Sequence, residues 1–184
     1  MSSLSALRRA RAFGCDRRGT ASIEFAFIAP VLVLFYFALV DLSLALEAKR
    51  KVSTSASVIG DLIAQTEKID ATELQAIFDA ADAVMQPLDI GEIAVRITSA
   101  VMDFDDSIEV AWSKSLNTSA NACGAAVSTP EGVLTPGQSV IISEVTYTYT
   151  PPIGQFLTGA IELTETFYLR PRQSLEVDFE PNPC

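Results

Sequence analysis

Sixteen consecutive uncharged residues, FAFIAPVLVLFYFALV at 25–40, constrain this chain more than any other feature. With Ala21 to Ile23 before them and Leu42 to Leu46 after them, the apolar character covers about 26 positions, enough for a helix to cross a hydrocarbon core of roughly 30 Å. A cleaved secretory signal is the rival reading, with Ser43 and Ala45 as the small residues of a cleavage site. It fits less well. Glu24 and Asp41 interrupt the run, the run exceeds the roughly 7–15 residues of a signal core, and no turn follows it. Arg8, Arg9, Arg11, Arg17 and Arg18 precede the span and only Lys49, Arg50 and Lys51 follow it closely, which predicts a cytoplasmic N-terminus. Glu24 is the anomaly, because an ionisable residue inside such a run is expensive and by default marks a function with a partner to be named.

Charge is distributed as unevenly as hydropathy. The net charge of -10 conceals a basic leader, with Asp16 its only acid, and a strongly acidic remainder. From Glu47 onward lie twenty of the 23 carboxylates but only eight of the 13 Lys and Arg, which argues against nucleic acid as a partner, since phosphate neutralisation needs a basic surface. Histidine is absent, which removes imidazole acid–base chemistry, Ser-His triads and His-containing metal sites.

Beyond the span, Val52, Ala56, Ile59 and Ile63 recur at spacings of four, three and four, so the helical pattern continues along one apolar stripe. Asp70 and Glu73 form an Asp version of the capping box, and Leu74, Ile77, Phe78, Ala81, Val84 and Met85 predict a second amphipathic helix as far as Pro87. The stripe reads as core. After Pro87 the period changes to two. Ile93, Val95 and Ile97 alternate with more polar neighbours, and DFDDS at 103–107 turns the chain into IEVAWS, a hairpin. Residues 116–138 read as a long surface loop. SVIISEVTYTYT at 139–150 and IELTETFYLR at 161–170 predict two more strands, the first stopped by Pro151 and Pro152. The expected class is α+β: a long N-terminal transmembrane helix continuing into a soluble domain, where a second helix packs on a four-stranded, antiparallel, pilin-like sheet.

Arg17, Arg18, Gly19, Thr20, Ala21, Ser22, Ile23, Glu24 and Phe25, followed by the apolar helix, resemble a type IV prepilin cleavage site. The likeness is to the Tad/Flp subclass and within it to TadE-like pseudopilins, and it extends in weaker form to the helix ending at Pro87 and to YLRPR at 168–172. Phe25 stands where that group usually has Tyr. The resemblance implies a basic cytoplasmic leader, 1–19, removed between Gly19 and Thr20 by a prepilin peptidase; a transmembrane and assembly helix, 20–46; and a periplasmic domain, 47–184. It implies that Arg17 and Arg18 orient the precursor and that Glu24, with Phe25 beside it, sets assembly register. Physical chemistry agrees: cutting creates an α-amino group at Thr20, and a neighbour's Glu24 neutralises that cation within the membrane. The competing reading is a plain anchor whose Glu24 rests at the cytoplasmic interface.

With the leader removed, Cys15 leaves with it, and Cys123 and Cys184 remain as a pair in an oxidising periplasm. A bridge between them would close a loop of roughly 60 residues and stabilise by about 4 kcal/mol at most; two free thiols is the alternative. Asp103, Asp105 and Asp106 lack the loop length and distal Glu of a calcium hand and read as a solvated turn. No nucleophile elbow or phosphate loop is present, so neither cofactor nor enzymatic activity is expected. Implied partners are the prepilin peptidase, other pseudopilins and the major Flp pilin, the Tad inner-membrane assembly platform, and membrane lipids. The functions in contention are a minor pilin of a Tad/Flp pilus in the bacterial inner membrane, an unprocessed TadG-like scaffold of the same machinery, and a pilus-associated adhesin.

Overall fold

The computed structural model describes residues 18–88, 91, 93–153 and 159–184, and it divides into two compact units, Met1–Leu42 and Ser43–Cys184. Helix α1, Arg18–Ala64, contributes to both. In the first unit its side chains are exposed and apolar on every side: Phe25, Phe27, Val31 and Leu34 are among them, and Pro30 lies within the helix. Among the described residues it is the one helix long and apolar enough to cross a membrane by length and composition, and none of its most apolar window is buried.

The second unit is a sheet with helices on one face. Its elements are the end of α1, β1 (Lys68–Asp70), α2 (Ala71–Met85), β2 (Ile93–Met102), β3 (Ile108–Leu116), β4 (Ser139–Tyr149), β5 (Ile161–Leu169) and β6 (Asp178–Glu180). The strand order β3-β2-β4-β5 is antiparallel throughout. The α+β expectation therefore stands, and the capping box forms as the sequence implied. Asp70 Oδ1 accepts from the backbone N–H of Thr72 at 2.7 Å and of Glu73 at 2.8 Å, while Glu73 Oε2 accepts from the Asp70 N–H at 3.3 Å. These bonds satisfy three donors at the start of α2 that the helix itself leaves without partners.

Burial follows the two periodicities. On α1, Ala48, Val52, Ala56, Ile59 and Ile63 are fully buried; on α2, Leu74, Phe78, Ala81 and Met85 are buried. They join Ile93, Val95, Ile97, Trp112, Ile141, Val145, Tyr147 and Tyr149 in one cluster. Gly60 explains how closely α1 meets the sheet: a Cβ there would lie 2.3 Å from Leu169 Cδ1 and 3.3 Å from Ser143 Cβ.

Two features differ from expectation. The segment after β3 is more than a surface loop. Residues 124–127 bond along the edge of β3, and Leu134 is buried with Ala100, Val140 and Ile142 on the sheet face opposite the main core. β4 records this arrangement, with its first five residues all buried and the rest alternating. One half is covered on both faces and the other on one. Just before the terminal PNPC, Asp178–Glu180 form a strand that is not among the expected elements, β6, which pairs in parallel with β1. Phe179 is buried against Trp112 with ring centroids 5.4 Å apart, and Trp112 Nε1 donates to the Val177 carbonyl at 2.6 Å.

Candidate processing and assembly site

Gly19 and Thr20 lie on α1, at the start of its described part, Arg18–Ala64. Arg17 and the rest of the leader, with Cys15, lie outside the described residues. Glu24 falls four residues after Thr20, one turn along the same helical face, about 6 Å by the rise of 1.5 Å per residue. It is exposed, and its neighbours Ile23 and Phe25 are 59% and 68% exposed. Within this single chain the carboxylate has no hydrogen bond or ion pair to any described residue. The structure thus places Gly19, Thr20, Glu24 and Phe25 on two successive turns of one helix, with Thr20, Glu24 and Phe25 exposed.

The cysteines sit elsewhere. Cys123 and Cys184 are joined, with Cα atoms 5.6 Å apart, and the bond links the segment edging β3 to the tail just beyond β6. It closes the same corner of the domain that Trp112 and Phe179 fill, so the tail is held by a covalent bond, a strand pair and buried rings together. Lys68 and Glu180 extend the β1–β6 pair with an ion pair at 2.5 Å, and the hydrogen bond to Glu180 holds the Lys68 pKa above its ordinary value. In the β2–β3 turn, Asp105 Oδ1 accepts from the Ser107 hydroxyl at 2.7 Å and from its N–H at 3.1 Å, and these bonds hold its carboxyl below the usual range. The Asp105 carboxylate serves the turn.

Sequence reasoning missed a groove of about 470 Å³ in the second unit, bordered by Leu44, Ala48, Lys51, Leu88, Tyr147 and Tyr149. Its walls come from three segments far apart in the chain, and only the odd-numbered tyrosines of β4, set on one face by the strand period, hinted at it.

An exposed apolar helix of spanning length followed by a disulfide-bonded α+β unit defines the class: the chain fits a single-pass membrane protein. Residues 19–59 match the model of the family described as TadE-like protein, and the chain is consistent with a TadE-like protein over that stretch. The match opens on Gly19 and ends one residue before Gly60. No curated protein and no solved structure matches the chain.

Proposed function

We propose that the chain is a minor pilin, or pseudopilin, of a Tad/Flp-type pilus, made as a single-pass inner-membrane precursor, cut after Gly19 by a prepilin peptidase and needed for pilus assembly or initiation. The observation that carries this reading is a coincidence of position. The family match opens on the glycine of the cleavage-like motif, and Glu24 stands fifth from the proposed new terminus. In this mechanism the leader arginines hold the N-terminus in the cytoplasm, and cleavage converts the Thr20 amide into an α-amino cation. Neither that cation nor Glu24 is cheap to keep in lipid alone, and pairing across two subunits offsets both costs while fixing a stagger between neighbouring helices. The periplasmic domain then recognises other pilins or the assembly platform; the role is structural, with no catalysis.

N-terminal sequencing after co-expression with the cognate peptidase tests the cut. The expected mature chain starts at Thr20, nineteen residues shorter. An intact Met1 or Ser2 terminus beside active peptidase would instead leave the unprocessed, TadG-like scaffold. Glu24→Gln tests register: insertion and cutting persist, whereas crosslinking to partner pilins and piliation are lost. Normal piliation with that variant removes the register role.

A further inference from the structure

The groove bordered by Leu44 and Tyr149 has a depth fixed by the chain itself. Leu44 belongs to the apolar run, which ends at Leu46, and Lys51 follows five residues later on α1. At 1.5 Å per residue the separation from Leu46 to Lys51 is about 7–8 Å, roughly the thickness of one headgroup layer. If α1 spans, one wall of the groove stands at the acyl chains and its rim at the phosphates.

The rest of that end of the domain has matching chemistry. Ile161 pairs with Tyr149 at the end of β4, and Ile161 and Ile153 are 38% and 44% exposed. Tyr147 and Tyr149 are each only 5% exposed and lend the groove the edge of a core ring, whereas the lysine and arginine beside it are side chains that favour a membrane interface. Of the three cations after the span, Lys49 pairs with Glu165 at 3.5 Å. Lys51 donates to the Gln86 carbonyl, which leaves two of its three N–H donors. The Arg50 side chain has no ion pair or hydrogen bond among the described residues. Glu47 also lines the groove, one turn before Lys51, so Arg50 and Lys51 together leave this end with a net positive charge.

We propose that this groove is a phospholipid seat. One acyl chain lies against Leu44, Ala48, Leu88 and the rings of Tyr147 and Tyr149, its phosphate meets Lys51 at the rim, and Arg50 faces the adjoining headgroups. The seat sets the depth of the domain on the membrane. It rests on α1 as a spanning helix and is independent of processing or a pilus role.

The test uses the full chain in vesicles of phosphatidylethanolamine, with and without phosphatidylglycerol, and no other protein. A photo-crosslinking residue is placed at Thr150 on the groove, at Phe104 in the β2–β3 turn at the far end of the sheet, and at Leu34 as the lipid-facing reference. Mass spectrometry should find a one-phospholipid adduct at Thr150 at least about tenfold more abundant than at Phe104, as an interfacial site requires. The Arg50→Gln/Lys51→Gln double variant should lower the Thr150 adduct severalfold, and Lys51→Arg should keep it. Equal adducts at Thr150 and Phe104, no lipid adduct at Leu34, or a Thr150 adduct only to a second protein chain overturns the seat. Because peptidase and pilus components are absent, none of these results bears on the proposed pilus function.

Discussion

α1 contains two helical stretches of similar length that solve opposite problems. From Thr20 to Leu42 large apolar side chains project on all sides; from Ser43 to Ala64 one stripe is buried and most other positions are polar or small, with Leu44, Leu46 and Leu62 the large apolar exceptions. Phe27 is 76% exposed in the first stretch, and Ile59 is fully buried in the second. A water-soluble helix needs one apolar face, whereas a helix apolar all round needs an apolar solvent or a complete protein coat. One continuous helix therefore carries two different solvents in its sequence.

The largest expected effect of that difference lies in paired truncations. Ile59→Ala removes a fully buried side chain packed in the main core and should lower the unfolding free energy of the Ser43–Cys184 unit by about 2–5 kcal/mol. Leu34→Ala, in the exposed stretch, should leave that unfolding transition in place. Urea titration in detergent followed by Trp112 emission reads both. Similar losses from the two variants would mean that the first stretch is also domain core.

Arginine scanning sharpens the same contrast from the lipid side. Leu34 and Thr54 are both exposed in the isolated chain. At Leu34, arginine near the centre of the span should disfavour insertion by roughly 2.5–3.5 kcal/mol, seen as a fall in the membrane-integrated fraction. At Thr54 the same residue should change neither insertion nor folding appreciably, since the position faces water. Equal tolerance at both positions would contradict a bilayer around the first stretch.

Much of this was legible in the sequence because the signals are periodic and long. The α1 stripe, the capping box at Asp70 and Glu73, and the alternation in β2, β4 and β5 each repeat over several turns or residues, so local chemistry and tertiary burial agree. What escaped was short or assembled at long range. β1 and β6 are three residues each, too brief for any period, and their parallel pairing joins Ile69 to Phe179 across most of the soluble domain. Leu134 and Val133 are isolated apolar residues in a stretch of Gly, Pro, Ser and Thr, so nothing local shows that they cover Ala100 and Val140. At the candidate site the exposure of Glu24 and Phe25 follows directly from a helix apolar all round, whereas the Leu44–Tyr149 groove depends on tertiary packing.

Gly60 gives a smaller and more diagnostic effect, because it marks where the second stretch comes closest to the sheet. Gly60→Ala places Cβ against Leu169 Cδ1, the movable end of a side chain, and against Ser143 Cβ, which is not. The helix-propensity gain of about 1 kcal/mol should offset much of that crowding, leaving Ala nearly neutral. Gly60→Val adds two methyl groups at the same point and should destabilise by about 1–3 kcal/mol. Thermal melts of the three forms should rank Gly and Ala together, with Val below them. A Val form as stable as Gly would show that β5 yields freely to α1.

The smallest expected effect concerns pH and belongs wholly to the second stretch's domain. Glu176 is pushed above its ordinary pKa first by burial and then by the nearby Asp178 carboxylate. A carboxyl whose folded pKa is raised binds its proton more readily folded than unfolded. It therefore penalises the fold above the folded pKa, and the penalty is relieved as pH falls through that value toward the unfolded one near 4.5. Because the group is partly exposed, solvent screening limits the effect to about half a kcal/mol. Glu176→Gln should raise domain stability slightly at neutral pH and by progressively less as the pH falls below the folded pKa. Membrane insertion of the first stretch should be indifferent to the change. Urea midpoints of wild type and variant, measured across that window, give the slope directly; a variant less stable than wild type at neutral pH would mean that the Glu176 carboxylate is stabilised in the folded domain.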